Sequence, residues 1–152
     1  MASPTPLRVV ETQLIRQLLD ADSVVICAGG GGAPVARNRR GELEGVDAVV
    51  DKDTTAGLLA ETLEADVLLL LTDVAAVQAD YGTPQARPIH RAAPADLRAL
   101  RFPAGSMGPK VDAVCRFVEL TGKTAAVGAL SDVDAILAGK TGTIVTPSGA
   151  YP

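Results

Sequence analysis

The chain has 152 residues, 47% of them apolar, and a net charge of −4 at pH 7, which fits a single globular domain with its own core and excludes a disordered chain. Its charges are scattered, no apolar run reaches the roughly 18 residues of a membrane span, and Met1-Ala2-Ser3-Pro4 does not open a secretory signal, so neither nucleic acid nor membrane is an expected partner. Cys27 and Cys115 lie far apart with no C-x-x-C, as in a reducing, cytoplasmic setting, and the lone His90 excludes any catalytic scheme that needs two histidines.

Residues 8–20 have helical spacing, with Leu14, Ile15, Leu18 and Leu19 on one face. Residues 23–28 (SVVICA) read as a short buried strand ending in Gly29, Gly30, Gly31 and Gly32. Residues 34–45, around Asn38-Arg39-Arg40-Gly41, read as a hairpin excursion. A second strand is expected at 46–50 (VDAVV). Asp51-Lys52-Asp53 then opens a helix to about Glu64, with Asp53 as its N-cap. The run 67–71 (VLLLL) lacks alternation, as in a parallel strand covered on both faces, and ends in Thr72-Asp73-Val74. Residues 78–95 are polar and proline-rich, a surface loop. A helix from Ser106 or Gly108 to about Leu120 turns Val111, Val114, Cys115 and Val118 inward. A strand at 123–129, a short helix at 131–138 and a strand at 142–146 complete the order. Strands alternating with helices imply an α/β fold, a three-layer αβα arrangement around an open, mostly parallel sheet. Both cysteines are expected to be small buried hydrophobes.

In such a sheet ligands bind beyond the carboxyl ends of the strands. Three expected strands end there in unusual residues: the four glycines, Asp51-Lys52-Asp53 and Thr72-Asp73-Val74. Four consecutive glycines give a core nothing, but they let backbone N–H groups approach an anion closely. The dinucleotide pattern G-x-G-x-x-G fails because Pro34 stands where its last glycine belongs. The triphosphate loop fails at Gly139-Lys140-Thr141 and at Gly122-Lys123-Thr124, because Asp134 and Phe117 replace its first glycine. Lys52 and Lys110 are more informative. Each falls at the start of an expected helix, at the positive end of its dipole, where a cation is locally unfavourable unless it faces an anion such as a polyphosphate.

These residues resemble the carbamate kinase family. The resemblance rests on Gly29-Gly30-Gly31-Gly32-Ala33-Pro34-Val35, on Gly45-Val46-Asp47-Ala48-Val49-Val50-Asp51-Lys52-Asp53, on Leu71-Thr72-Asp73-Val74, on Gly82-Thr83-Pro84 and on Gly105-Ser106-Met107-Gly108-Pro109-Lys110. It runs from about Thr5 to Ile144 and covers the second, nucleotide-binding half of such an enzyme. The resemblance implies an amino-acid-kinase fold and reversible phosphoryl transfer between ATP and carbamate, with ATP or ADP bound together with Mg2+. It implies that Lys52 and Lys110 contact the phosphates while Asp51 and Asp53 orient those lysines or the magnesium shell. Thr72, Asp73 and Val74 would line the nucleotide site with Ser106, Met107 and Gly108, and Tyr81 would lie near the base or ribose. The four glycines would face carbamoyl phosphate. Magnesium would be held by phosphates and water, with no protein metal cage. The family's first half, with much of the carbamate site, is expected to be absent, so self-association or a separate first half is an expected partner.

Two further readings stand beside this one. A non-catalytic adenine-nucleotide-binding module would share the fold and the site but would not turn over. An unrelated nicotinamide-dependent oxidoreductase is disfavoured by the glycine spacing.

Overall fold

The structure is a computed structural model and describes residues 2–102 and 107–149. Helix α1 (Thr12–Asp20) begins later than residue 8, after a turn in which the Thr12 hydroxyl donates to the Val9 carbonyl at 2.7 Å. Of its apolar face only Ile15 is buried; Leu14, Leu18 and Leu19 remain exposed. The expected hairpin is present, β1 (Val35–Arg37) pairing antiparallel with β2 (Leu43–Gly45). Asn38 builds its turn, its side-chain oxygen accepting from the N–H groups of Arg40 and Glu42.

Residues 23–28 and 46–50 do not form the expected strands. Val24 and Ile26 are 96% and 97% exposed, and Val46, Val49 and Cys27 are exposed as well. One isolated bridge, Ala2 to Ala48, is the pairing these stretches make among the described residues. β-Branched side chains favour an extended backbone, but a strand also needs a neighbour to take its N–H and C=O groups. Here no described segment runs alongside 23–28.

The next elements are helix α2 (Lys52–Thr62) and strand β3 (Val67–Thr72). The cap of α2 is Asp51 rather than Asp53. Asp51 has the extended backbone a cap requires (φ −69°, ψ 131°), and its carboxylate accepts from the Thr54 N–H at 2.8 Å. Asp53 already lies inside the helix. Residues 78–95 are more ordered than a surface loop. They hold the small antiparallel pair β4 (Gln78–Ala79) and β5 (Arg87–Pro88), then β6 (Arg91–Ala92) and helix α3 (Pro94–Arg98). The prolines fit because Pro94 takes the first helical position, which needs no N–H bond. Ala92 and Leu97 are fully enclosed.

Helix α4 (Met107–Thr121) leads into β7 (Thr124–Ala129). A single 3-10 turn and helix α5 (Val133–Leu137) then lead to β8 (Thr143–Val145). The main sheet runs β3-β7-β8-β6. Its β3–β7 and β6–β8 pairs are parallel, and β7–β8 is antiparallel. On one face Leu68, Leu70 and Val127 pack under Val114, Phe117 and Val118 of α4 and Leu97 of α3. All four inward positions expected of α4 are buried. On the other face Ile136 of α5 packs on Ala126 and Ile144, with Leu69 and Leu71 half-buried beside them. β3 is therefore fully covered on one face and partly on the other. Gly128 allows this second layer: a Cβ there would lie 2.6 Å from Ile136 Cδ1.

Helix α2 runs into β3, and α4 runs into β7, each by a short turn. Both helices run back against their strands, so both N-termini stand at the carboxyl end of the parallel β3–β7 pair. The Arg116 guanidinium ties the helices together by donating to the Glu61 carboxylate at 2.8 Å.

Candidate functional site

At that carboxyl end lies a cavity of about 380 Å³. It is lined by Asp51, Lys52 and Asp53 of the α2 start, Thr72, Asp73 and Val74 of the β3 end, Tyr81, and Met107 and Lys110 of α4. The topology thus brings these sequence-expected residues together although two of the three expected strands are absent. Helix α2, not a strand at 46–50, delivers Asp51-Lys52-Asp53 to the rim.

The centre of the cavity is a charge cluster. Asp53 Oδ2 lies 2.8 Å from Lys110 Nζ and 3.9 Å from Lys52 Nζ. Asp53 and Lys110 are buried, with 7% and 9% of their surface exposed, and the Lys110 ammonium donates a charge-assisted hydrogen bond to the carboxylate. Lys52 is largely open to solvent. Two lysines share one carboxylate, so the group keeps a net positive charge at the N-termini of two helices. A second negative group would be drawn there.

Asp51 stands apart from this cluster, since its Oδ1 accepts from the N–H and, at 3.0 Å, from the hydroxyl of Thr54. Burial pushes its carboxyl up, but the Thr54 hydrogen bonds and the Lys52 charge outweigh burial and hold it below the ordinary aspartate value. At the rim the Thr72 hydroxyl donates to Asp73 at 3.0 Å, and Tyr81 is mostly exposed.

Several expected residues sit elsewhere. Gly108 is half-buried in the first turn of α4 but does not line the cavity. Ser106, like Gly105, lies outside the described residues. Gly29, Gly30, Gly31 and Gly32 do not line the cavity either. Gly31 is buried behind the α2 start, where the Thr55 hydroxyl donates to its carbonyl at 2.9 Å.

Ala76, Gln78 and Phe102, which no motif singles out, complete the lining with Pro109 of the Gly105–Lys110 motif. Phe102 has a usable signal. The chain holds only two phenylalanines, two tyrosines and no tryptophan, so an aromatic just before the Gly105–Lys110 motif is informative. Cys115 is buried as expected, and burial pushes its thiol up to about 11, which makes it a poor nucleophile. Among the described residues no group of three or more His, Cys, Asp or Glu side chains could hold a metal ion, and no helix is long and apolar enough to cross a membrane.

Residues 2–129 match the amino acid kinase family. The chain is 50% identical over 150 residues to a carbamate kinase of Rhizobium meliloti (strain 1021), covering 97% of this chain and 46% of that protein. It is 46% identical over 144 residues to a carbamate kinase of Haemophilus influenzae, covering 95% and 46%. The solved structure of carbamate kinase from Giardia lamblia bound to AMP-PNP superposes with a TM-score of 0.91 at 42% identity, covering 95% of this chain and 52% of that one. The chain spans about half the length of the relatives it matches. With the lysine-bearing helix starts gathered at one sheet end and the match running through most of the sequence, the chain belongs to the amino acid kinase family.

Proposed function

We propose that the cavity binds an adenine nucleotide as its magnesium complex and serves reversible phosphoryl transfer between ATP and carbamate, run toward ATP. One observation carries this reading: Lys52 and Lys110, from two different helices, converge on Asp53 in the cavity. In the direction of ATP formation, a terminal phosphate oxygen of ADP bonds to the phosphorus of carbamoyl phosphate. The bond from that phosphorus to the carbamate oxygen breaks, and carbamate leaves with the electron pair. Such a transfer asks the protein for position and positive charge rather than for a covalent intermediate.

The two lysines suit different parts of this task. Lys110 is held by Asp53 and presents a fixed charge. Lys52 is exposed and free to follow the phosphoryl group as it moves. Thr72, Asp73 and Val74 form the wall along the nucleotide, with Tyr81 and Phe102 as aromatic surfaces for base or ribose. Magnesium supplies charge neutralisation on the phosphates; Asp73, exposed at the rim and paired with no lysine or arginine among the described residues, is the carboxylate suited to orient its water shell. AMP-PNP bound to the similar Giardia enzyme supports a nucleotide as ligand. Carbamoyl phosphate is assigned by similarity to carbamate kinases about twice as long, and turnover is assigned to the chain acting with the further length those relatives have.

The test is calorimetric titration of the chain with Mg·ADP, with Mg·NADH as control. Saturable binding of Mg·ADP alone is expected, and Lys110→Ala is expected to weaken it by about 1.5–3 kcal/mol. Unchanged affinity removes Lys110 from the site. Assaying ATP formation from carbamoyl phosphate, with and without the additional sequence of the relatives, separates a kinase from a nucleotide-binding module.

A further inference from the structure

Thr143 is the first residue of β8. It is wholly buried, yet its side chain is polar and does not line the cavity. Its backbone pairs with Val127 in the main sheet, while its hydroxyl serves another segment. The hydroxyl accepts from the Val77 N–H at 2.8 Å and donates to the Ile89 carbonyl. Its donor and acceptor roles are thus both filled by backbone, from residues 66 and 54 positions away.

Val77 and Ile89 face each other by register. In the β4–β5 pair Ala79 stands opposite Arg87 and Gln78 opposite Pro88, so the same register puts Val77 opposite Ile89. Every second pair of an antiparallel ladder exchanges two N–H to carbonyl bonds. Here the Ile89 N–H donates directly to the Val77 carbonyl at 2.8 Å, and the return bond runs through the Thr143 hydroxyl. A side chain of the main sheet is therefore built into the base rung of the small hairpin.

That rung borders the cavity. Ala76 and Gln78, on either side of Val77, line it, as does Tyr81 just beyond β4. Gln78, Tyr81 and Phe102 also border an adjoining hollow of about 520 Å³. Lys52, Asp53 and Lys110 come from α2 and α4 instead. The cavity thus has a charged part held by two helices and a wall held by a hairpin, which Thr143 ties to the main sheet.

We infer that Thr143 is a positioning residue that fixes the β4–β5 hairpin as the nucleoside wall of the cavity, so that affinity for a nucleoside diphosphate depends on it while affinity for the phosphates alone does not. The inference rests on the nucleotide reading of the cavity. Thr143 touches no ligand; it acts through the Val77 N–H, between two lining residues. Without the hydroxyl, the buried Val77 N–H loses its partner, whereas Asp51, Asp53 and Lys110 keep theirs.

The experiment titrates the full chain, Thr143→Val and Thr143→Ser calorimetrically with Mg·ADP and with Mg·pyrophosphate. In Thr143→Val the affinity for Mg·ADP should fall about tenfold, as for a lost buried hydrogen bond. Affinity for Mg·pyrophosphate should stay within about twofold, as for a change away from that ligand. Thr143→Ser, which keeps the hydroxyl, should restore Mg·ADP binding. Equal losses for both ligands would make Thr143 a purely structural residue and overturn the inference. So would undiminished Mg·ADP binding by Thr143→Val, or a wild-type chain that binds Mg·ADP but not Mg·pyrophosphate. Hydrogen exchange at the Val77 amide of the wild-type chain gives a second reading that needs no variant to fold. Coupling between two sites is reciprocal, so saturating Mg·ADP should slow this exchange more than saturating Mg·pyrophosphate does; equal protection would overturn the inference. If the wild-type chain binds neither ligand, the nucleotide reading falls by itself. A Val77 amide that exchanges equally fast in the wild-type chain and in Thr143→Val then overturns the positioning role as well.

Discussion

Residues 67–72 and 23–28 are two short apolar runs of similar strand-forming character, and they end in opposite states. The first is β3, hydrogen-bonded along its length to β7, with Leu68 and Leu70 buried under α4. The second pairs with no strand among the described residues and leaves Val24 and Ile26 almost wholly in solvent. The runs differ less in composition than in surroundings. β3 is flanked by two elements the chain itself supplies within the next 60 or so positions, α4 and β7. Intrinsic preference for an extended backbone is thus a precondition for a strand, and a neighbouring ladder decides whether it forms.

Three substitutions sharpen that contrast. The largest effect belongs to the supported region. Phe117 is completely enclosed where α4 meets the sheet, so Phe117→Ala should cost about 3–5 kcal/mol, read as a lower urea midpoint. A loss below about 1 kcal/mol would mean that the β3–β7–α4 unit is not the centre of stability.

An intermediate effect belongs to the junction between the regions. Asp51→Ala removes the α2 cap and should cost about 1 kcal/mol. Its pH dependence has a definite sign. The folded carboxyl lies below its ordinary value of 3.8, so the stabilisation is complete above that value and is lost as pH falls through the lower, folded value. The acid limb of the stability profile should therefore be shallower in Asp51→Ala, and identical limbs would remove Asp51 as the cap.

The smallest effect on stability belongs to the open region. Ile26→Lys should change the urea midpoint by no more than about 0.5 kcal/mol equivalent, since this side chain buries almost nothing. It should, however, reduce association of the chain. Val24, Ile26, Val46 and Val49 are exposed, and β3 is an edge strand of the main sheet among the described residues; exposed apolar side chains and open strand edges both favour contact with a second copy. We propose that the wild-type chain self-associates at micromolar concentration. Sedimentation of the wild-type chain as a clean monomer would break that part of the comparison.

Much of the candidate site is legible in the sequence because it rests on local anomalies. A lysine in the first turn of a helix is conspicuous whatever the tertiary structure, and both Lys52 and Lys110 are so placed. The hairpin at 34–45 and the inward face of α4 are equally local, set by turn residues and by helical periodicity. Features that depend on a distant partner are less legible. Sequence points to Asp53 as the cap, although Asp51 has the capping backbone and Asp53 is committed to Lys110, 57 residues away. β6 and α3 are hidden in a proline-rich stretch because β6 is a strand only by lying beside β8. Thr55 looks like any helical threonine until Gly31 is seen against it.

The cysteines, expected to behave alike, give the chain a built-in asymmetry. Cys115 is sealed in the core with its thiol pushed up to about 11, while Cys27 is exposed two positions ahead of Gly29. A maleimide dye or spin label added to the unaltered protein should therefore attach at a single point, at the foot of the glycine segment. The natural sequence already holds a reporter for that segment.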